Sequence, residues 1–205
     1  MKIGAKIILA RMPIPYAFWK RLGLFEHGDM NQPHRALETF LERARMAGVL
    51  DSEGAVPRLR TKDNAYTVLE LGPVDALFTA VIARSLGASK TWLVDAGSFA
   101  TMDMYPYAEL LGYLRQQGLS ATLAGQPHTV IDLLKEWSAV YLTGGVHVLA
   151  QLPSDSVDYC FSNAVLEHIP KGDFALLAAE LFPPDEAGWC QRPSCRSKGS
   201  PRGAA

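Results

Sequence analysis

The pattern of apolar and polar positions in the middle of the chain predicts a strand, a glycine turn, a helix and a second strand. An apolar run at 67–71 leads into a Gly-Pro turn, as expected for a strand that is buried on both faces of a parallel sheet. Asp75 has the position of a helix N-cap, and Gly87 ends a helix whose apolar positions recur at helical spacing. A second strand begins at Thr91, and Asp95 lies at its carboxyl end. Such a unit is typical of an α/β fold.

The same periodicity predicts further helices and strands on both sides of this unit. Helices are predicted at 33–46, 104–117, 129–137 and 174–182, and strands at 139–142 and 157–161. The first helix carries an apolar stripe that must be buried, so residues 1–50 are predicted to form an N-terminal helical cap. Residues 51–64, with Gly54, Pro57 and several charges, are predicted to be a linker.

Gly72 and Asp95 have the spacing of a nucleotide-binding half-site. In doubly wound folds, a carboxylate about 20 residues past the glycine turn accepts hydrogen bonds from ribose hydroxyls. The turn ELGPVD at 70–75 has one glycine where the dinucleotide-binding pattern GxGxxG has three. A plain strand-ending turn therefore stays an alternative for this feature alone.

The segment LPSDSVDYCFSNAVLEHIP at 152–170 is a more specific signal, because a polar turn, a buried strand, Ser-Asn and a helix-like stretch follow one another. Together with ELGP at 70–73 and VDAG at 94–97, it resembles the fourth, first and second strand regions of class I S-adenosylmethionine-dependent methyltransferases with a methyltransferase type 11-like domain. The resemblance covers residues 65–182. It implies a Rossmann-like doubly wound sheet, mostly parallel, with helices on both faces and incomplete in its C-terminal half.

The resemblance also implies a cofactor, S-adenosyl-L-methionine, and residues around it. Expected at the cofactor are the turn residues Glu70, Gly72 and Pro73 beside the methionine moiety, Asp95 at the ribose, and Ser162 and Asn163 facing the sulfonium and the substrate. His168, early in a helix beside the site, is a substrate-side candidate. The sequence departs from the family at Val74, where glycine is usual because the backbone passes close to the cofactor.

The function implied by the resemblance is methyl transfer to a small-molecule acceptor. A noncatalytic, cofactor-binding remnant of such an enzyme is the alternative, and a nicotinamide dehydrogenase is a weaker one because two glycines are missing. No catalytic base is identified by the sequence. The sulfonium of the cofactor is already activated, so rate is expected to come mainly from proximity and orientation.

Composition fits an ordinary globular protein in the cytoplasm. The chain has 205 residues, 48% of them hydrophobic and 20% charged, with a formal net charge of -1. This near-neutral charge argues against a nucleic-acid partner. Cys160 lies in an apolar strand, and Cys190 and Cys195 have no second Cys/His pair close by in sequence. Neither a disulfide framework nor a metal site is therefore predicted, and a reducing compartment fits.

The two ends of the chain have separate interpretations. The N-terminal apolar stretch is interrupted too early to span a bilayer, but 7–25 mixes aromatic and basic residues, so peripheral membrane contact is an alternative to packing as a cap. Residues 183–205 are rich in Pro, Gly, Ser and Arg and lack a strand pattern, which predicts a disordered or frameshifted tail. Loss of the later strands would leave 157–161 as an apolar sheet edge, so self-association is expected.

Overall fold

The computed structural model describes residues 32–51, 56–60, 65–121, 123, 125–154, 156–163, 165–166 and 169–181. The membrane-contact segment predicted at 7–25, the tail predicted at 183–205 and His168 lie outside this part of the chain. Within the described residues, none of the helices is long and apolar enough to cross a bilayer.

The helices and strands follow the predicted order. The helices are α1 (Pro33–Met46), α2 (Phe78–Ser85), α3 (Met104–Gln116), α4 (Val130–Glu136) and α5 (Lys171–Leu181), with a 3₁₀ helix at Gly145–Gln151. The strands are β1 (Leu50–Asp51), β2 (Arg58–Leu59), β3 (Thr67–Leu71), β4 (Lys90–Asp95), β5 (Ala139–Thr143) and β6 (Tyr159–Ser162).

Four of the strands form one parallel sheet in the order β5-β4-β3-β6. Leu71 at the end of β3 is level with Val94 on one side and with Ser162 on the other. The carboxyl ends of all four strands therefore lie along one edge of the sheet, and the α/β fold with a parallel sheet is confirmed.

The sheet is buried on both faces, as the continuous apolar runs of its strands predict. One face packs against α1, α2, α3 and α4, with Val68, Leu93, Tyr159 and Phe161 in that core. The other face packs against the 3₁₀ helix and Leu177 of α5, and its core contains Leu69, Leu71, Trp92 and Val94. Successive side chains of β3 and β4 thus point to opposite layers of helices.

The predicted apolar stripe of α1 is buried against the sheet. Ala36, Leu37, Phe40 and Ala44 are buried. The ring of Phe40 makes edge contacts with Tyr159 at 6.1 Å and with Phe161 at 5.5 Å between ring centroids. Packing against β6 therefore stabilises α1, and a Phe40→Ala change would be expected to cost about 3–5 kcal/mol.

The predicted linker is partly structured. β1 and β2 pair in antiparallel fashion, and the side chain of Leu59 is buried. The backbone N–H of Leu59 donates to the carbonyl of Leu86 at 2.8 Å, which ties β2 to the end of α2. This short pairing has no alternation long enough to be predicted from sequence.

Three predicted boundaries are wrong. α5 begins at Lys171, three residues before the predicted start at 174, and the carbonyl of Pro170 accepts the N–H of Phe174 at 3.0 Å in its first turn. α2 begins at Phe78 rather than behind an N-cap at Asp75, because the hydroxyl of Tyr107 accepts the N–H of Leu77 at 3.0 Å and replaces a local cap. β6 begins two residues later than predicted and includes Ser162. Just before it, Asp158 bonds to Thr67 twice: its N–H donates to the carbonyl of Thr67, and its carboxylate accepts the N–H of Thr67, both at 2.9 Å.

Candidate functional site

The strand order reverses between β3 and β6. From β3 the chain proceeds outward through β4 to β5 and then returns to the opposite side of β3 to form β6. In open parallel sheets, ligands bind outside the carboxyl ends of the strands where the order reverses in this way. The residues that follow β3 and β6 therefore define the candidate site.

The turn after β3 approaches its neighbours closely at Gly72. The backbone N–H of Gly72 donates to the carbonyl of Val94 at 2.7 Å, and its φ of 74° lies in the left-handed region. A Cβ at this position would run into the side chain of Val165, which follows β6. Glycine is required here for both reasons. Pro73, next in the turn, is buried.

Val74 has a backbone conformation that favours glycine. Its φ is 52°, in the left-handed region that β-branched residues rarely occupy. The resemblance to methyltransferases predicts glycine at position 74, where the backbone would pass close to a cofactor. The conformation of the turn gives a further reason to expect glycine, because φ at position 74 is positive.

Asp95 joins the end of β4 to this turn. Its carboxylate accepts the N–H of Val74 at 3.0 Å and the N–H of Ala96 at 2.8 Å, and the residue is buried. Burial raises the pKa of Asp95 above its ordinary value, and these backbone N–H groups oppose the rise. Each carboxylate oxygen can accept a further hydrogen bond. The expected contact with a ribose stays a prediction.

Glu70 lies on β3 just before the turn and is 4% exposed. Burial raises the pKa of Glu70 to about 7; a hydrogen bond from the Thr79 side chain lowers it, and the charge of Asp95 raises it further. A void of about 10 Å³ beside Glu70 is lined also by Pro73 and Phe40. That volume is near the minimum for one water molecule, so a nucleoside would have to lie outside it, over the strand ends.

Ser162 and Asn163 lie at the end of β6, next to the end of β3. Ser162 is level with Leu71 in the ladder between β3 and β6. The side-chain oxygen of Asn163 accepts a hydrogen bond from the Nη2 of Arg43 at 3.4 Å. Sequence reasoning missed Arg43, which is 120 residues away along the chain. Arg43 is one of several charged residues on the amphipathic helix α1, and nothing in the sequence around it indicates this contact.

Tyrosines hold the neighbouring loop in place. The hydroxyl of Tyr141 on β5 donates to the carbonyl of Gly97 at 2.9 Å and accepts the N–H of Phe99 at 3.4 Å. The hydroxyl of Tyr107 donates to the carbonyl of Thr101 at 3.1 Å, further along the same loop. The loop after β4 is thus fixed to the sheet and to α3.

The structure therefore brings together most of the residues predicted from the sequence. Those at one edge of the sheet are Glu70, Gly72, Pro73, Asp95, Ser162 and Asn163. A separate open cavity of about 540 Å³ lies between α3 and the segment before α4, and it contains none of them. Its lining includes Met104, Leu111 and Arg115.

Comparison of the chain with protein-family models, with curated proteins and with solved structures found no match.

Proposed function

We propose that this chain is a class I S-adenosylmethionine-dependent methyltransferase domain that transfers a methyl group to a small-molecule acceptor. The observation that carries the proposal is the strand order. Numbered along the chain within the parallel sheet, the strands have the order 3-2-1-4, which is the first part of the Rossmann-like, doubly wound order. The motif residues that carry the family resemblance stand at its switch point.

In this proposal the cofactor lies over the ends of β3 and β4. The turn at Gly72 would accommodate the methionine end, because a glycine exposes backbone without a side chain. The carboxylate of Asp95 would accept hydrogen bonds from the ribose hydroxyls, in addition to those from Val74 and Ala96. Ser162 and Asn163 would face the acceptor.

Catalysis in this proposal depends on orientation. The bound cofactor would supply an activated methyl group, and the residues of the chain would hold the acceptor in line with it. The hydrogen bonds of Asp95 and Tyr141 hold both loops of the site. Such preorganisation supports binding in one geometry.

A noncatalytic, cofactor-binding domain is the second candidate. The side chain of Val165 lies directly against Gly72, and Val74 holds a strained φ in the same turn. Both features restrict access to the place where the methionine end is proposed to lie. This candidate would bind the same ligand as the first but would not transfer its methyl group.

Isothermal titration calorimetry with S-adenosylmethionine, S-adenosylhomocysteine and NAD is the test. We expect the first two to bind, NAD not to bind, and Asp95→Asn to weaken binding while the chain stays folded by circular dichroism. A folded chain that binds NAD, or neither methionine-derived ligand, would refute the proposal. If the methionine-derived ligands bind, a second assay follows the labelled methyl group of the cofactor. Its transfer to small-molecule acceptors would distinguish an enzyme from a binding domain.

A further inference from the structure

The guanidinium of Arg43 has few hydrogen-bond acceptors among the described residues. Arg43 lies in the last turn of α1 and is half-buried. Its Nη2 makes a long hydrogen bond of 3.4 Å to Asn163, and its Nε is buried with no partner among the described residues. A guanidinium has five N–H donors, and buried donors without acceptors cost free energy.

A second buried donor lies on β6, close enough to Arg43 for an electrostatic effect. The hydroxyl of Tyr159 on β6 is buried without a hydrogen-bond partner among the described residues. Arg43 is close enough to lower the pKa of Tyr159, against a larger rise that is caused first by burial. Two unsatisfied donors on neighbouring elements indicate a missing acceptor.

No carboxylate among the described residues compensates the positive charge of Arg43 by an ion pair, and the neighbouring Arg45 is exposed. Glu70 is the carboxyl that acts on Tyr159 from β3, and its pKa of about 7 keeps it partly neutral at neutral pH. Arginine is the residue best suited to carboxylate and phosphate groups, which it binds with paired N–H donors.

We propose that Arg43 binds an anionic group of the methyl acceptor, a carboxylate or a phosphate, at the end of β6. The inference rests on the proposed function, since Asn163 connects the guanidinium to the strand end where the acceptor would lie. It specifies the acceptor class and makes Arg43 a substrate-binding residue.

The test is a titration of the ¹⁵N-labelled chain with benzoate and, as the neutral analogue, benzamide. The side-chain Nε signal of Arg43 is the readout, because this atom is buried and has no acceptor among the described residues. We expect benzoate, and also phenyl phosphate, to move that signal, and benzamide to leave it in place. Equal responses to benzoate and benzamide would overturn the inference.

Substitutions give a second readout. Arg43→Met should weaken benzoate binding about tenfold or more, the usual range for a lost charge-assisted hydrogen bond, while Arg45→Met in the same turn of α1 should change it less than twofold. Arg43→Lys, which keeps the charge, is the variant to use if Arg43→Met does not fold, and we expect it to bind benzoate with intermediate affinity. Unchanged affinity in the Arg43 variants would overturn the inference.

Calorimetry with S-adenosylmethionine on the same variants separates the two proposals. If the cofactor binds normally to Arg43→Met while benzoate does not, both proposals are supported. If the cofactor binds but benzoate does not move the Arg43 signal, only the anion site is refuted. Benzoate binding at Arg43 without cofactor binding would refute the methyltransferase proposal and the assignment to a methyl acceptor, and would leave an anion site at Arg43.

Discussion

The carboxylate of Asp95 accepts the backbone N–H of Val74 at 3.0 Å, so the strand that follows α2 holds the turn that precedes it. Val74 has a φ of 52° in this turn. The same carboxylate also accepts the N–H of Ala96. One side chain therefore bonds to both the turn after β3 and the loop after β4. Stability of the turn and geometry of the proposed site therefore depend on one buried group.

Removal of the Asp95 carboxylate should affect both folding and ligand binding. Asp95→Ala leaves the N–H groups of Val74 and Ala96 without their acceptor, so we expect the free energy of unfolding to fall by about 1–3 kcal/mol. Binding of S-adenosylmethionine should weaken by about 1.5–3 kcal/mol, the size of a hydrogen bond to a charged group. Urea denaturation and calorimetry measure the two effects.

Asp95→Asn is the matched control, because it keeps one acceptor oxygen for the turn. We expect it to retain more of the free energy of unfolding than Asp95→Ala does. Unchanged cofactor affinity in Asp95→Ala would contradict the ribose assignment, even if the folding effect is found.

Val74→Gly should stabilise the turn and tighten binding of S-adenosylmethionine. A left-handed φ costs a non-glycine residue about 1–2 kcal/mol, whereas glycine loses about 0.5–1 kcal/mol through chain entropy. We therefore expect the free energy of unfolding to rise by up to about 1 kcal/mol. Thermal denaturation and calorimetry on the same samples are the measurements.

Two substitutions identify the cause of that effect. Val74→Ala removes the branched side chain but keeps an L residue at φ 52°, so it should relieve little of the strain. Ser138→Gly relaxes a similar φ of 53° outside the candidate site, so it should change stability without changing binding. Equal or weaker binding by Val74→Gly would show that strain at this turn does not limit the ligand.

The sequence predicted the parts of the fold that depend on long apolar patterns. The strands β3, β4 and β5 and the helix α1 have runs or stripes long enough to indicate burial, and each lies within a residue or two of its predicted range. The motif residues also fall at one edge of the sheet, because consecutive strand ends share that edge in a parallel sheet.

The remainder depends on contacts between distant residues. The N–H of Leu77, just before α2, donates to the hydroxyl of Tyr107, and Asp158, just before β6, bonds to Thr67. The contact between Arg43 and Asn163 also joins residues far apart in sequence. No local pattern encodes such pairs, so single-sequence reasoning placed these boundaries wrongly or missed the contact.

Stability should depend on pH through Glu70. Its pKa is raised from about 4.5 to about 7, which means that the fold favours the protonated carboxyl. The contribution of Glu70 to the free energy of unfolding is fully present below pH 4.5 and is lost as pH rises through 7. The difference between the two pKa values corresponds to about 3 kcal/mol. We therefore expect the wild-type free energy of unfolding to fall between pH 5 and pH 8, as measured by urea denaturation across that range.

Glu70→Gln should flatten this pH dependence. Glutamine keeps the size of the side chain and an acceptor for Thr79, and it cannot ionise. A smaller slope of the same sign should persist, because the pKa of Asp95 is also raised. If the variant and the wild-type chain show the same slope, the buried carboxyl is not its source.

Self-association should proceed through the β6 edge of the sheet. Within the residues that the structure describes, β6 pairs with β3 on one side and with no strand on the other. Unpaired strand edges recruit further strands. α5, the helix that follows β6 in the chain, exposes the side chains of Phe174, 47% accessible, and Leu176, 38% accessible. We therefore expect light scattering to show oligomers of the 205-residue chain whose mass rises with concentration.

Lysine substitutions on α5 test which surface associates. Phe174→Lys combined with Leu176→Lys places charge on the helix that follows β6 and should shift the population toward monomer, because burying an unpaired charge in an interface is costly. Ile131→Lys is the control: it lies on α4, which packs next to β5 at the opposite edge, and its side chain is 58% accessible. A wild-type chain that stays monomeric at all concentrations, or an equal effect of the Ile131 substitution, would contradict association at the β6 edge.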